Sequence, residues 1–394
     1  MLPGLSGPGH GGPARPQRLV SAVIVVLPFY ISVYSAVIGT IYFLLPLYLK
    51  GSLHFSGGQI GLLFAVLSLN AILVSFPVGV IGDRYPARIL TRVGLAATAA
   101  SLWGLASVVN FWPFLAVFWC FGLSIQLFRL SLDTLLFKES PGDVPRRLGH
   151  YNAMRMGGMM VGTLLAGAGY YWLEFPATLK LFSAAVLLLI GPTLWLPLTR
   201  GVRTTLFEYG RDFLAAPVLF FATWLFLFTL HWGAEATSLA LFLEHNLKLS
   251  PLGVGGYMAG EFGVVGLTAY LYGRFWVGRL KPLTFLTLAL IFSGAGHIMM
   301  TYPVLPWSFA WRAVHGFGDG LILMETYTTI IRLFHVDRIG GNASLISLTT
   351  TLGVLAGSLI FGPLGAAYGY QVPLIVSGAI SLALLPLAYA GLKE

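Results

Sequence analysis

Apolar residues run along this chain in long unbroken stretches, separated by short turns that hold glycine, proline and a few charges. The stretches do not alternate with the period of two that a half-buried strand leaves, and each approaches the roughly 20 residues that a helix needs to cross a bilayer. They fall at 20–49, 59–81, 89–109, 112–137, 151–173 and 177–199, and again at 213–243, 253–272, 283–301, 304–331, 343–367 and 371–391. Helices are predicted for all of them, because a segment in lipid must satisfy its backbone hydrogen bonds internally. The expected fold class is an all-α membrane protein of twelve transmembrane helices, arranged as two pseudo-symmetric six-helix bundles.

Composition supports this class. Hydrophobic residues make up 57% of the 394 positions and charged residues only 9%, against about 25% charged in a soluble domain. Residues 1–18, rich in Gly and Pro, read as a disordered tail, 19–199 as the first bundle, 200–212 as a linker and 213–394 as the second bundle. The first apolar run is too long for a signal-peptide core and reads as a retained helix. Cys120 lies within a predicted span and says nothing of redox compartment.

The net charge of +9 comes from basic residues in alternate loops, among them Arg84, Arg88, Lys138, Arg146, Arg147, Arg200, Arg211, Arg279 and Arg338. Only Lys50, Lys180 and Lys248 fall in the other set. Basic loops are retained in the cytoplasm, which places both termini there and explains the charge without a nucleic-acid partner. The expected location is a multi-pass position in a membrane, the bacterial inner membrane, with the lipid bilayer as partner and a monomeric chain.

Charges inside the spans are the best pointers to chemistry, since each costs at least about 2.5–3.5 kcal/mol at mid-membrane unless paired or hydrated. In the first half Arg129 and Asp133 lie one turn apart on one helical face, and Arg155 enters span five at similar depth. These read as a structural or gating network, or as substrate contacts. In the second half His231 and Glu235 share a face of span seven, Glu261 lies midway along span eight, His297 in span nine, and Arg312, His315 and Asp319 follow one face of span ten. Desolvation favours the neutral form of a carboxyl and a neighbouring arginine favours the charged one, so a motion that makes or breaks such a pair loads and releases a proton. Glu235, Glu261 and Asp319 are the candidates, His231 and His315 are either relay groups or packed polar groups, and Arg312 is expected to pair with Glu261 or Asp319. Glu325 is expected near the inner end of span ten. Tyr30, Tyr34, Tyr42, Trp224 and Trp232 either wall a cavity or anchor the helices at the interface.

Two further patterns organise the chain. Gly158, Gly162, Leu164 and Gly167 of span five reappear as Gly353, Gly357, Leu359 and Gly362 of span eleven, an offset of 195 positions that suggests duplicated halves packed through small residues. Between spans two and three stands the charged turn Gly79-Val-Ile-Gly-Asp83-Arg84-Tyr-Pro-Ala-Arg88.

With this turn the chain resembles the major facilitator superfamily over nearly its whole length. The family's signature there is Gly, three residues, Asp, Arg, any residue, Gly and two basic residues. Gly79, Asp83, Arg84 and Arg88 match it, while Pro86 and Ala87 depart from it and imply a tighter turn or an earlier start of span three. The resemblance implies a cytoplasmic gate in which Asp83 meets the N-terminal end of span eleven, with Asp133 a possible partner of Arg84 or Arg88; a plain topological anchor is the simpler alternative. Span five is similar to an antiporter pattern through Gly149, Gly158, Gly162 and Gly167, with Thr163 in place of its proline. Arg312-Ala-Val-His-Gly316-Phe-Gly318 is similar to an arginine motif usually found in span four, where this chain has Gln126 and Arg129.

The function implied is secondary active transport by alternating access, as a proton-coupled exporter of a small or amphipathic solute. The alternatives are a proton-linked uptake symporter or facilitator for a sugar, organic acid or other nutrient, and a lipid flippase of the same fold. No cofactor or metal is expected. An enzyme is disfavoured, because the sequence has no nucleophile elbow, no His-Glu-x-x-His site and no nucleotide-binding loop with Lys.

Overall fold

A computed structural model describes residues 17–138, 144–169, 174–199, 201–202 and 204–391. Among these the chain is helical and has no strands. The first half comprises α1 (Gln17–Gly51), α2 (Gly57–Arg84), α3 (Ala87–Ser107), α4 (Phe111–Lys138), α5 (Val144–Gly169) and α6 (Phe175–Leu188), the last continued by a 3₁₀ turn at Gly191–Trp195. A short helix, α7 (Leu206–Phe213), occupies the linker. The second half comprises α8 (Ala216–Ala234) with α9 (Ala240–His245), then α10 (Pro251–Leu271), α11 (Pro282–Met299), α12 (Leu305–Leu333), α13 (Ile339–Tyr368) and α14 (Gln371–Ala383) with α15 (Leu385–Gly391).

Helices therefore stand at each predicted place, and nine among the described residues are long and apolar enough to cross a membrane. The others are α5, α10 and α12, which carry Arg155, Glu261, Arg312 and Asp319. A helix that faces other helices tolerates these charges, at the expense of its own mean hydropathy. Residues 1–16 of the expected tail lie outside the described residues, and the chain is already helical at Gln17.

The helix pairs repeat between the halves. Packing of α1 on α5, α3 on α4, α3 on α6 and α2 on α4 is matched by α8 on α13, α11 on α12, α11 on α14 and α10 on α12. Across the halves, α2 lies on α13 and α5 on α10. The duplicated glycines lie at the first of these pairs. A Cβ at Gly158 or Gly162 would collide with backbone carbonyls of Ser32 or Ala36 on α1, and one at Gly353 or Gly357 with Thr229 or the Leu230 carbonyl on α8. Gly167 lies near the end of α5, with its surroundings outside the described part.

Helix ends follow local chemistry. Ser56 accepts from Gln59 N while the Gln59 side chain accepts from Ser56 N, a capping box that starts α2. Pro86, with φ −59°, is the N-cap of α3. α2 runs to Arg84, so only Tyr85 and Pro86 separate the two helices, the tight turn that the proline predicts. α8 passes into α9 through a π turn, Glu235–Leu239, that begins at a charged residue. Such turns recur at functional sites.

Candidate functional site

Three groups of polar residues lie along the boundary between the halves and within the second half. The first surrounds Asp83 at the end of α2. Its carboxylate is fully buried, accepts three hydrogen bonds, from Gly340 N at 3.0 Å, Gly341 N at 2.7 Å and Tyr209 Oη at 2.9 Å, and forms an ion pair with Lys138 Nζ at 2.9 Å. The two glycines open α13, so the acid sits where the helix dipole and free N–H groups attract an anion. Gly79, one turn earlier on α2, permits this approach, because a Cβ there would collide with Ser344 and the Gly340 carbonyl.

The linker closes over this contact. Val202 N donates to the Asp83 carbonyl at 2.9 Å, and Tyr209 of α7 is buried with its hydroxyl 2.9 Å from Thr204 Oγ1. Asp212 accepts from Arg338 Nε at 2.7 Å and Asn342 Nδ2 at 3.1 Å, and Glu208 lies 3.5 Å from Arg338. Partial burial raises the Asp212 pKa, but the hydrogen bonds from Arg338 and Asn342 outweigh it and hold the carboxyl below its ordinary range.

Arg84, Arg88 and Asp133 do not join this group as the sequence suggests. Arg84 donates to the Thr204 carbonyl at 2.8 Å, and Arg88 to the carbonyls of Leu194 and Leu196 at 3.2 and 3.1 Å. Both bind backbone, tying the turn to the linker and to the end of α6. Asp133 lies about a turn and a half too deep on α4, and Lys138 is the α4 residue that reaches Asp83.

Asp133 belongs instead to a cavity of about 150 Å³ between the halves, lined from α4, α5, α8, α12 and α13 and reaching Gly340 beside the Asp83 group. Its Oδ1 accepts from Tyr151 Oη at 3.0 Å and Tyr327 Oη at 3.2 Å, and Oδ2 lies 3.7 Å from Arg129 Nη1. Arg129 Nη2 donates to Gln126 Oε1 at 2.9 Å and to Ser347 Oγ of the second half at 3.0 Å. Arg155 Nη1 donates to Tyr327 Oη at 3.3 Å. Of the five aromatic candidates only Trp232 is among the cavity's lining residues. Tyr30 donates to the Leu189 carbonyl at 2.5 Å, Tyr34 packs on Phe128, Trp224 stacks on Phe228, and Tyr42 is exposed.

The third group is buried in the second half. Arg312 donates to both oxygens of Glu235, at 2.5 and 3.1 Å, and to Glu261. It thus takes Glu261, one of its two expected partners, and adds Glu235. His315 Nε2 lies 2.9 Å from Glu235 Oε1, 3.7 Å from Asp319 and 3.8 Å from Glu261, with its Nδ1 2.8 Å from the Ser293 carbonyl. His231 Nδ1 lies 2.6 Å from the Phe228 carbonyl and its Nε2 3.4 Å from Asp319. His297 Nε2 is 3.6 Å from Glu235. Asp319 also accepts from Ser293 Oγ at 2.7 Å and from Trp232 Nε1 at 2.6 Å. Trp232 therefore touches both the cavity and the cluster.

Potential metal-ligating atoms come within 4.8 Å of one another in two sets, His231, Glu235 and His315, and Glu261, His315 and Asp319. The Arg312 guanidinium already provides Glu235 and Glu261 with a cation of the chain's own. Glu325 joins neither the Asp83 group nor this one; it accepts from Tyr272 Oη at 2.5 Å and lies 3.8 Å from Arg332.

Sequence reasoning found the acids and arginines within the spans and Asp83, and missed most of their partners. Lys138 counts in sequence only as a loop charge, Tyr209 sits in a linker without a signal, and the hydroxyls of Tyr151, Tyr327 and Ser347 are ordinary helix residues. The Gly340–Gly341 pair at the start of span eleven is the one legible sign, since adjacent glycines there leave room for an approaching carboxylate.

Comparison with known proteins agrees with the fold. The structure is similar to that of the human organic anion transporter MFSD10 (TETRAN), with a TM-score of 0.74, 16% identity, and coverage of 94% of this chain and 99% of that one. It is also similar to the transporter FucP in an outward conformation, with a TM-score of 0.74 and 12% identity over 94% of this chain and 99% of FucP. A variant of the E. coli fucose:proton symporter FucP gives a TM-score of 0.71 at 12% identity over 94% of this chain and 98% of that one. No curated protein matches in sequence. The family model of the Major Facilitator Superfamily matches residues 29–304, most of the chain, so the protein belongs to this superfamily of membrane transporters and is a multi-pass membrane protein, not an enzyme.

Proposed function

We propose that the protein is a secondary active transporter that exposes the cavity between its halves alternately to the two sides of the membrane, and that it exports a small or amphipathic solute in exchange for protons. The contact of Trp232 with both the cavity and Asp319 is the observation that carries this reading. The cluster behind it holds Glu235, Glu261 and Asp319 against one guanidinium, that of Arg312, with His231, His297 and His315 as the other titratable groups facing it. With neutral imidazoles the cluster would carry a buried excess of negative charge, which a low-dielectric site disfavours. Protons relieve it. A rearrangement at Trp232 that changes the partners of Asp319 couples proton occupancy to the shape of the cavity.

Twelve crossings with both termini in the cytoplasm are part of this reading, supported by the basic loops. They make the Asp83 end the cytoplasmic end, and its closed latch then corresponds to an outward-facing state. The glycine spacing of α5 favours export. An uptake symporter is the second reading, favoured by the unbroken course of α5 through Thr163, where antiporters have a proline, and by the likeness to a fucose:proton symporter.

The test is reconstitution in proteoliposomes under an imposed pH gradient with a panel of small solutes. Gradient-driven flux that falls at least about tenfold in Glu235→Gln and Asp319→Asn supports coupling through the cluster. Flux that ignores both the gradient and these variants rejects it.

A further inference from the structure

The cavity between the halves presents an excess of positive charge. Arg129, Asp133 and Arg155 line it, two guanidiniums against one carboxylate. Asp133 is already engaged, accepting from Tyr151 and Tyr327 and lying 3.7 Å from Arg129. Arg155 has a hydroxyl, Tyr327 Oη at 3.3 Å, as its hydrogen-bond partner and no carboxylate within ion-pair distance among the described residues. A guanidinium carries five N–H donors, and Arg155 uses one of them here. Holding such a cation within a membrane protein is costly unless it is hydrated or meets an anion.

Beside these charges the lining is mixed: Leu225, Trp232, Leu323, Ile330 and Ile346 give it apolar surface, and Thr134, Thr326, Ser347 and Thr350 add hydroxyls. Its volume, about 150 Å³, is below the roughly 300 Å³ at which drug-sized pockets begin. Two guanidiniums and a compact, largely apolar space beside them define a ligand by chemistry. A guanidinium fork matches two oxygens of a carboxylate or similar oxyacid and gives a cation nothing to bind.

We infer that the cargo is a small organic monoanion, an acid group on a compact apolar body, whose charged oxygens are held by Arg155 and Arg129 while the body rests near Trp232. This rests on the transporter reading above and narrows its substrate class. In exchange for an entering proton, export of a monoanion moves net positive charge inward, so the membrane potential as well as the pH gradient drives it.

Three probes of one shape test it on purified full-length protein: benzoate, its neutral amide benzamide, and the cation benzamidine, with binding measured by calorimetry. The expected result is saturable benzoate binding at least about tenfold tighter than benzamide, with no benzamidine binding. Arg155→Gln removes most of this preference, leaving benzoate and benzamide alike. Equal affinity for the three probes, absence of benzoate binding, or an unchanged preference in a folded Arg155→Gln variant would overturn the inference. The wild-type charge series decides even if the variant fails to fold. Proton-driven flux of a neutral solute in the same preparation, without benzoate binding, would reject the anion while leaving the transporter reading in place.

Discussion

Asp83 shows how one side chain joins two halves of a protein. Its donors come from α4, α7 and the first turn of α13, so the two backbone bonds from α13 are lost if the halves separate at that end, while Lys138 of α4 stays with Asp83 in the first half. Hydrogen bonds to a charged acceptor contribute about 1.5–3 kcal/mol each, and a few such bonds suffice to bias an equilibrium between two conformations. Asp83→Asn keeps the shape and removes the charge. It is expected to shift the equilibrium towards opening by about 2 kcal/mol, read as faster alkylation of a cysteine placed at Ser344. Unchanged alkylation would show that the contact is structural only. Trp232→Phe preserves an aromatic wall and deletes the donor to Asp319. Solute binding is expected to persist while its dependence on pH flattens; a retained pH profile would separate the cavity from the cluster. The acid of the latch was legible because a carboxylate between two spans is rare enough to stand out. Its donors were not, since two are backbone N–H groups and one belongs to a linker tyrosine 126 positions away.

At the scale of elements, the linker is a working part of the fold. The sequence shows a charged connection of about a dozen residues, and nothing in it announces that Tyr209 enters the protein interior. The helix forms because Thr205 and Glu208 make a capping box, the Glu208 carboxylate accepting from Thr205 N at 2.7 Å. Tyr209→Phe removes the hydroxyl that bridges Asp83 and Thr204 and is expected to weaken docking of α7 by about 1.5–3 kcal/mol, seen as faster amide exchange over α7. Asp212 fixes the sign of the linker's pH response. Its folded pKa lies below the ordinary 3.8, so its contribution is complete above that value and fades only as pH falls through the lower folded one. Latch docking is therefore expected to be constant between about pH 5 and 8, the range in which histidines commonly titrate. Exchange rates that change across that range would contradict this assignment. The membrane helices themselves were legible because apolar length is a direct physical requirement, and so were their glycine contacts, because the same spacing occurs in both halves.

At the scale of the molecule, the repeated helix pairs give two bundles related by an approximate twofold, yet the polar groups break that symmetry. The latch acid stands in the first half, and the counterpart loop from Tyr272 to Pro282 contains no acid at all. The buried charge cluster stands in the second half alone, between α8, α10, α11 and α12. On the proposed reading, a proton load in one half and a latch between the halves let one half move against the other without opening both ends together. The sequence already shows which half carries which charges; what it could not show is their pairing, because that depends on which distant helices face each other. The most direct measurement is the distance between spin labels on the two halves at the Asp83 end. Exposed Tyr85 and Val336 provide the sites, with the exposed Cys120 replaced. Alternating access predicts a short distance at rest, a second longer population when pH or solute changes, and a dominant long distance in Asp83→Asn. A single unchanging distance under all of these conditions would contradict it.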